Sequence, residues 1–209
     1  IPWEVRETSY SMLLTKKQKE ILIGTMLGDG HLEKNGRGAR LRVDHTLKQD
    51  DYVHWKYTEF KDFATAKPRV IRSFHKSSKK FYERSHFSTF TSDIFLKWQD
   101  LFYENKRKII PTNIQSLLTS PLTLAVWYMD DGYKRNDCNA LRLNTDLFSL
   151  AEQHLLAQCL KENFGIDSKV HKKGKSYCLY VPQKSSEKFC QLVRPYMVGS
   201  LLYKVSLTP

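Results

Sequence analysis

Two aspartates, Asp29 and Asp131, stand 102 residues apart (131 − 29), and each closes an apolar run and precedes a glycine: Leu22-Ile-Gly-Thr-Met-Leu-Gly-Asp-Gly30 and Leu124-Ala-Val-Trp-Tyr-Met-Asp-Asp-Gly132. Glycine just past a last helical turn is the usual stop, because it enters the left-handed conformation without a Cβ penalty. The spacing therefore predicts that both acids sit at helix C-termini, where the macrodipole already contributes partial negative charge. A carboxylate there is poorly placed for stability, and two such placements call for a bound cation. If the halves pack about a pseudo-twofold axis, the acids converge and divalent cations would dominate the local field. Two metals about 3.5–4 Å apart can clamp the attacking and leaving oxygens of a phosphodiester during in-line displacement. A pseudo-equivalent pair of acids also matches the two antiparallel strands of a duplex.

The elements that must position these acids repeat in the same order. Residues 1–14 show no clear period and read as an arm. Thr15-Lys-Lys-Gln18 is a capping box opening the first motif helix, and Gly24 and Gly28 are spaced to let two helix backbones approach closely. Val126 and Asp130 stand where the first motif has those glycines, so the two helix faces are not equivalent. A hairpin follows, turning at Asn35-Gly-Arg-Gly38. Next come a helix near 50–63 with a rough apolar stripe (Tyr52, Val53, Trp55, Lys56, Phe60, Phe63), strands at 70–75 and 81–91, and a helix capped by Ser92. In the second half, Ser120-Pro121 starts a helix as N-cap and N1, and a hairpin turns near Asn136–Asn139. Ser149-Leu-Ala-Glu152 caps a helix that stops at Gly165, strands cover 168–172 and 176–182, and a last helix covers about 186–196. The expected class is α+β: two pseudo-symmetric αββαββα halves, residues 15–115 and 116–209, each an antiparallel four-stranded saddle sheet backed by helices.

Composition limits the partners. Thirty-four Lys and Arg against 22 Asp and Glu leave a net charge of +12, more than solubility requires and suited to a polyanion. Cys138, Cys159, Cys178 and Cys190 lack Cys-x-x-Cys spacing, which disfavours a zinc site and favours reduced thiols. The seven histidines show no metal-ligand spacing, and His31 reads as a strand residue. No run reaches the ~18 apolar residues of a membrane span, and no signal peptide is visible. The chain opens Ile1-Pro2, which leaves a longer native N-terminus and a targeting segment open. A twisted ribbon fits the DNA major groove, where base edges are distinguishable. Candidate readers on the polar strand positions are Arg40, Arg42, Arg72, Arg84, Arg142, Asn144, Lys169 and His171. The turn lysines Lys76, Lys79, Lys80, Lys172, Lys173 and Lys175 suit phosphates.

The two motifs resemble those of the LAGLIDADG homing endonucleases, in the single-chain form that carries both copies. The second half adds further likeness to an intron-encoded, monomeric member: Lys108-Ile-Ile-Pro-Thr-Asn113, Trp127-Tyr-Met-Asp-Asp-Gly132, and Pro195-Tyr-Met followed by Leu202-Tyr-Lys204. The resemblance covers nearly the whole chain beyond about Thr15. It implies a monomer that binds a long asymmetric double-stranded DNA site and hydrolyses both strands, leaving short 3′ overhangs. Asp29 and Asp131 would bind metal and position water, with the carbonyls of Gly28 and Asp130 completing the shell, and Lys108 and Lys204 would stand near the scissile phosphates. The implied cofactor is Mg2+, two or more divalent cations in all, with Ca2+ able to occupy the sites without supporting cleavage. The alternatives are an intron RNA maturase and a non-cleaving DNA-binding protein on the same scaffold. The expected compartment is wherever the host intron resides: bacterial cytoplasm, mitochondrion or chloroplast, and not the exterior.

Overall fold

The computed structural model describes residues 13–77 and 79–207, so the expected N-terminal arm lies outside the described residues apart from Leu13 and Leu14. Helix α1 (Lys16–Leu27) begins at the predicted capping box, Thr15 accepting from the Gln18 backbone and the Gln18 side chain from the Thr15 backbone. Strands β1 (His31–Asn35) and β2 (Gly38–Thr46) form the predicted hairpin, with Gly36 in the left-handed region (φ 57°) that its turn requires. Then follow α2 (Asp50–Phe60), β3 (Arg69–His75), β4 (Lys80–Ser88) and α3 (Asp93–Phe102), which is capped by Ser92. A short ribbon, β5 (Tyr103–Glu104) and β6 (Arg107–Lys108), and the single turn α4 (Ile114–Leu117) join this unit to the next.

The order then recurs. Helix α5 (Pro121–Asp131) starts with Ser120 as cap and proline at N1, and is followed by β7 (Gly132–Lys134), β8 (Leu141–Leu143), α6 (Leu150–Phe164), β9 (Lys169–Lys173), β10 (Ser176–Val181) and α7 (Gln183–Val193). A 3-10 helix, Gly199–Val205, comes near the end. The sheets have matching topologies, β1-β2-β4-β3 and β7-β8-β10-β9, all antiparallel. Helices α2 and α3 pack on the first sheet and α6 on the second. The α+β class and the repeated halves are as expected. Helix α7 starts three residues earlier than the pattern suggested.

The two motif helices, α1 and α5, lie against one another at the centre of one continuous core. A Cβ built on Gly24 would come within 2.5 Å of the Thr123 carbonyl and 2.7 Å of Val126 Cβ. One built on Gly28 would come within 2.4 Å of Asp130 Cβ. The inequality between the motifs thus has a steric meaning: Val126 and Asp130 fill the gaps left by the two glycines. Thr123 Oγ1 donates to the Glu20 carbonyl at 3.1 Å and ties the start of α5 to α1.

The glycines after the aspartates do not act as left-handed stops. Gly132 is extended (φ −85°, ψ 151°), and the positive-φ glycines among the described residues are Gly36, Gly165 and Gly174. Close approach is what keeps these two positions small. A Cβ on Gly30 would lie 2.2 Å from Thr25 Cγ2, and one on Gly132 2.0 Å from the Tyr128 ring. Helix α1 ends at Leu27, so Asp29 lies in the turn beyond it, while Asp131 is the last residue of α5.

Gly24→Ala should destabilise the protein by about 1–3 kcal/mol, because the added methyl meets a backbone carbonyl that cannot rotate away. Urea unfolding checks this. An unchanged midpoint would show that the helices can separate without penalty.

Candidate active site and nucleic-acid interface

The ends of α1 and α5 bring Asp29 and Asp131 into one charged pocket together with Asp130, Lys56, Lys108, Lys204 and His45. Lys108, on β6, donates through Nζ to the carbonyls of Gly28 and Gly30, both at 2.7 Å, which fixes its ammonium on the first motif. Lys204, on the late 3-10 helix, donates to the Met129 carbonyl at 2.6 Å, two residues before the second acid. Each lysine is therefore anchored on the helix end of its own half, although neither supporting element was legible in the hydrophobic pattern.

The electrostatics are those of acids crowded together and partly removed from water. Burial, and then the charges of Asp29 and Asp130, push the Asp131 carboxyl up to about 8. Asp29 is raised too, by burial and then by Asp130, even though its side chain is half exposed. Lys108 is pulled down to about 8 by burial, against the pull of the three aspartates. Burial lowers Lys204 in the same way.

Two side chains that sequence reasoning passed over complete the pocket. Lys56, placed in the apolar stripe of α2, is indeed buried, and its Nζ donates to both carboxylate oxygens of Asp130, at 2.9 and 3.2 Å. Its ammonium also lies 4.4 Å from the Tyr52 ring centroid. His45 is 5 % exposed, with Nε2 3.7 Å from Asp130 and Nδ1 4.0 Å from Asp29. Burial, then Lys56, holds this imidazole down at about 4, so it is neutral near pH 7. A lysine inside an apolar helical stripe was the available signal for Lys56, since such a charge needs a buried partner. Its partner is the additional acid of the second motif, Asp130, whose position one step round from Asp131 suits an interface group.

Among the described residues, no group of three or more His, Cys, Asp and Glu forms a metal-holding cluster. The donors facing the pocket are hard oxygens: the carboxylates of Asp29 and Asp131 and nearby main-chain carbonyls. That set fits magnesium, which is commonly held by one or two carboxylates and completes its shell with water and substrate phosphate. The Asp130 carboxylate is occupied by Lys56, which leaves only its carbonyl for the predicted role. The Gly28 carbonyl already accepts from Lys108.

Strand register sorts the candidate DNA readers. Arg40 pairs with Glu33, Arg42 with His31 and Ser88, and Thr46 with Arg84, so Arg40, Arg42 and Arg84 share one face. Lys80, opposite His75, joins them by alternation. Glu33 holds Arg40 and Arg42 in place, and Asp44 lies 2.8 Å from Arg84. Arg72 faces the other way. It pairs with Glu83, one step out of phase with Arg84, and its guanidinium lies 4.3 Å from the Phe81 ring centroid. In the second sheet, Arg142, Lys169, His171 and Lys173 share a face with Tyr133 and Tyr180. His171 stacks on Tyr180 at 4.4 Å. Asn144, just past β8, accepts from Lys173 at 3.2 Å, whereas Lys172 points to the opposite face. Lys76, Lys79 and Lys175 are exposed beside or within the hairpin turns.

The LAGLIDADG DNA endonuclease family matches residues 19–189. The chain belongs to that family. Both LAGLIDADG motifs lie in one polypeptide, as the duplicated helices require. The DNA endonuclease I-ChuI of Chlamydomonas applanata is 32% identical over 212 residues, which span 93% of this chain and 97% of that protein. The cytochrome b mRNA maturase bI2 of Debaryomyces hansenii is 29% identical over 203 residues, 94% of this chain and 76% of that protein. The solved structure of the homing endonuclease I-WcaI bound to its DNA recognition sequence superposes with a TM-score of 0.88 at 26% identity, covering 95% of this chain and 89% of that one. No helix among the described residues of this LAGLIDADG protein is long and apolar enough to cross a membrane.

The pocket sets a pH dependence of stability. Between its ordinary value of 3.8 and about 8, Asp131 keeps its proton in the folded protein and loses it in the unfolded chain. The folded state binds more protons there, so this group's contribution falls as pH rises. His45 opposes it only between about 4 and 6.5. Metal-free protein should therefore lose stability from pH 6.5 to 8, by at most about 1.4 kcal/mol per unit, and Asp131→Asn should abolish the loss. Urea titrations in chelator test this, and an equal slope in the variant would refute the assignment.

Proposed function

We propose that the protein is a site-specific double-strand DNA endonuclease, acting as a monomer on a long asymmetric target and serving the homing of the intron that encodes it. The observation that carries this reading is the shared pocket: two carboxylates at the ends of two packed helices, each accompanied by a lysine anchored to the same helix end. In this reading Asp29 and Asp131 hold divalent cations, magnesium in the working enzyme, with the carbonyls of Gly28 and Asp130 as further oxygen donors. Such cations supply Lewis-acid polarisation of the phosphate and lower the pKa of water.

The chain's own groups account for the rest of the reaction. Asp29 and Asp131 orient water in line with each scissile phosphorus, and Asp131, raised to about 8, releases its proton when cations bind, as linked equilibria require. Lys108 and Lys204 offset the negative charge that develops on phosphorus, and Lys108, brought down to about 8, is also suited to exchange a proton near neutral pH. Water attacks phosphorus, and the bond to the 3′ oxygen breaks to give a 5′ phosphate and a 3′ hydroxyl. Arg40, Arg42, Arg84, Arg142, Asn144, Lys169, His171 and Lys173 read the duplex from the two sheet faces. Lys76, Lys79, Lys80 and Lys175 contact phosphates. The phase of Arg72 and Lys172 takes them out of this footprint.

A second reading has its own support, since one relative over most of the chain is named an mRNA maturase. The experiment that separates the readings incubates the protein with a duplex spanning the insertion site of its intron, and separately with the intron RNA, with and without magnesium. Cleavage of both strands that falls at least about 10³-fold in Asp29→Asn and in Asp131→Asn supports the endonuclease. RNA binding with uncut DNA in every condition supports the maturase. Duplex binding alone supports a DNA-binding protein that has lost cleavage.

Binding to the duplex should weaken steeply with salt, by roughly 0.9 log unit per phosphate contact for each log unit of salt. Lys79→Ala should lower that slope by about one contact. A slope near zero for the parent protein would remove the basic faces as a DNA footprint.

A further inference from the structure

The pocket is not symmetric, and the difference lies beneath the acids. In the first motif Gly28 occupies the place that Asp130 takes in the second. Asp130 is therefore a third carboxylate without a counterpart. Its side chain is 0% exposed, and it is held by Lys56, itself 1% exposed. Lys56 Nζ reaches both Asp130 (2.9 Å) and His45 Nε2 (3.5 Å), His45 Nε2 also lies 3.7 Å from Asp130, and its other ring nitrogen lies 4.0 Å from Asp29.

Among the described residues, the second half has no such device. Aligning Leu41-Arg42 with Leu141-Arg142 places Thr145 at the position of His45 and Leu156 at that of Lys56. There Thr145 donates to Gln153 at 2.6 Å, Gln153 donates back to the Thr145 carbonyl, and Leu156 is buried in the core. One flank is thus ionic and the other neutral. Lys56 is among the charges that act most on Asp29, whereas those acting most on Asp131 are Asp29, Asp130, Lys108 and Lys204.

We propose that Lys56 is a positioning residue that, through Asp130 and His45, makes the Asp29 side of the pocket different from the Asp131 side, so that the two DNA strands are cut at unequal rates in a fixed order. The inference rests on the nuclease reading of the pocket and deepens it. Lys56 grips both oxygens of Asp130 and so keeps a third carboxylate from swinging onto a cation. His45, wedged between Asp130 and Asp29, limits where the exposed Asp29 carboxylate can turn. On the Asp131 side the corresponding residues, Thr145 and Leu156, carry no charge.

The test compares the parent protein with Lys56→Arg, Lys56→Met and Lys56→Met/Asp130→Asn. The double variant removes both charges, because Lys56→Met alone leaves a buried carboxylate unpaired and can unfold the chain. Cleavage of the insertion-site duplex in magnesium is followed with each strand labelled separately. The parent should cut one strand at least about threefold faster, and the double variant should shift the ratio of strand rates about tenfold, while Lys56→Arg keeps the parent ratio. A uniform loss of rate on both strands, or a parent protein that cuts both equally, overturns the proposal.

A second measurement needs no cleavage. Calcium-dependent binding of the same duplex is titrated in Asp131→Asn, which retains Asp29, and in Asp29→Asn, which retains Asp131. Adding Lys56→Met/Asp130→Asn should move the calcium midpoint by about tenfold in the first background and by less than about twofold in the second. Equal shifts in the two backgrounds, or none in either, overturn the side-specific role. Failure of the parent to cut any duplex would instead remove the nuclease reading, and the calcium comparison would still decide whether Lys56 acts on one side.

Discussion

The close contact between α1 and α5 is the constraint on which the rest of the structure depends. Backbones approach that closely only where one helix lacks side chains, and Gly24 and Gly28 supply the gaps that Val126 and Asp130 fill. This packing does two things at once. It brings the ends of both helices, and so Asp29 and Asp131, to one place. It also drives Asp130 into the interior, where an unpaired carboxylate would be strongly unfavourable. Lys56 on α2 answers that need, and Tyr52 and His45 close around the pair. The convergence of the two acids and the buried ion pair are thus consequences of a single steric fit.

What could be read from the sequence was what local chemistry decides. The capping boxes at Thr15 and Ser149, the Ser120-Pro121 start, the Gly165 stop and the hairpin turn at Gly36 all formed as their residue types dictate. The duplicated motif was legible because both copies end in the same way. What local pattern could not give was tertiary. Gly30 and Gly132 are small because Thr25 and Tyr128 lie against them, not because their backbones need positive φ. The ribbon carrying Lys108 and the 3-10 helix carrying Lys204 are too short to leave a hydrophobic period. Arg72 was grouped with Arg84 because both are cationic strand residues, and only the pairing of Arg72 with Glu83 shows that their parity differs.

Charge is distributed in two opposed ways. The net excess of +12 lies mainly at solvent-facing strands and turns, where it is well hydrated. Three acids, Asp29, Asp130 and Asp131, instead gather at the ends of the central helices, where burial and the neighbouring carboxylates raise Asp29 and Asp131. A polyanion approaching the basic faces would therefore be drawn toward the most acidic point of the molecule. Dication binding at that point would reconcile the two fields. Lys108 and Lys204 are held to main-chain carbonyls rather than to the acids themselves, and Lys56 engages only Asp130, which leaves the carboxylates of Asp29 and Asp131 free to accept ions.

The two sheets are alike in connectivity but not in reach. Strand β2 has nine residues and its counterpart β8 has three, and β4 has nine against six in β10. At about 3.3 Å per residue, β2 extends roughly 30 Å and β8 roughly 10 Å. A duplex laid across both would be gripped over a long arm on one side of its midpoint and a short arm on the other. Substitutions in the long arm of such a target would be sensed far from the centre, whereas the short arm would tolerate drift a few base pairs out.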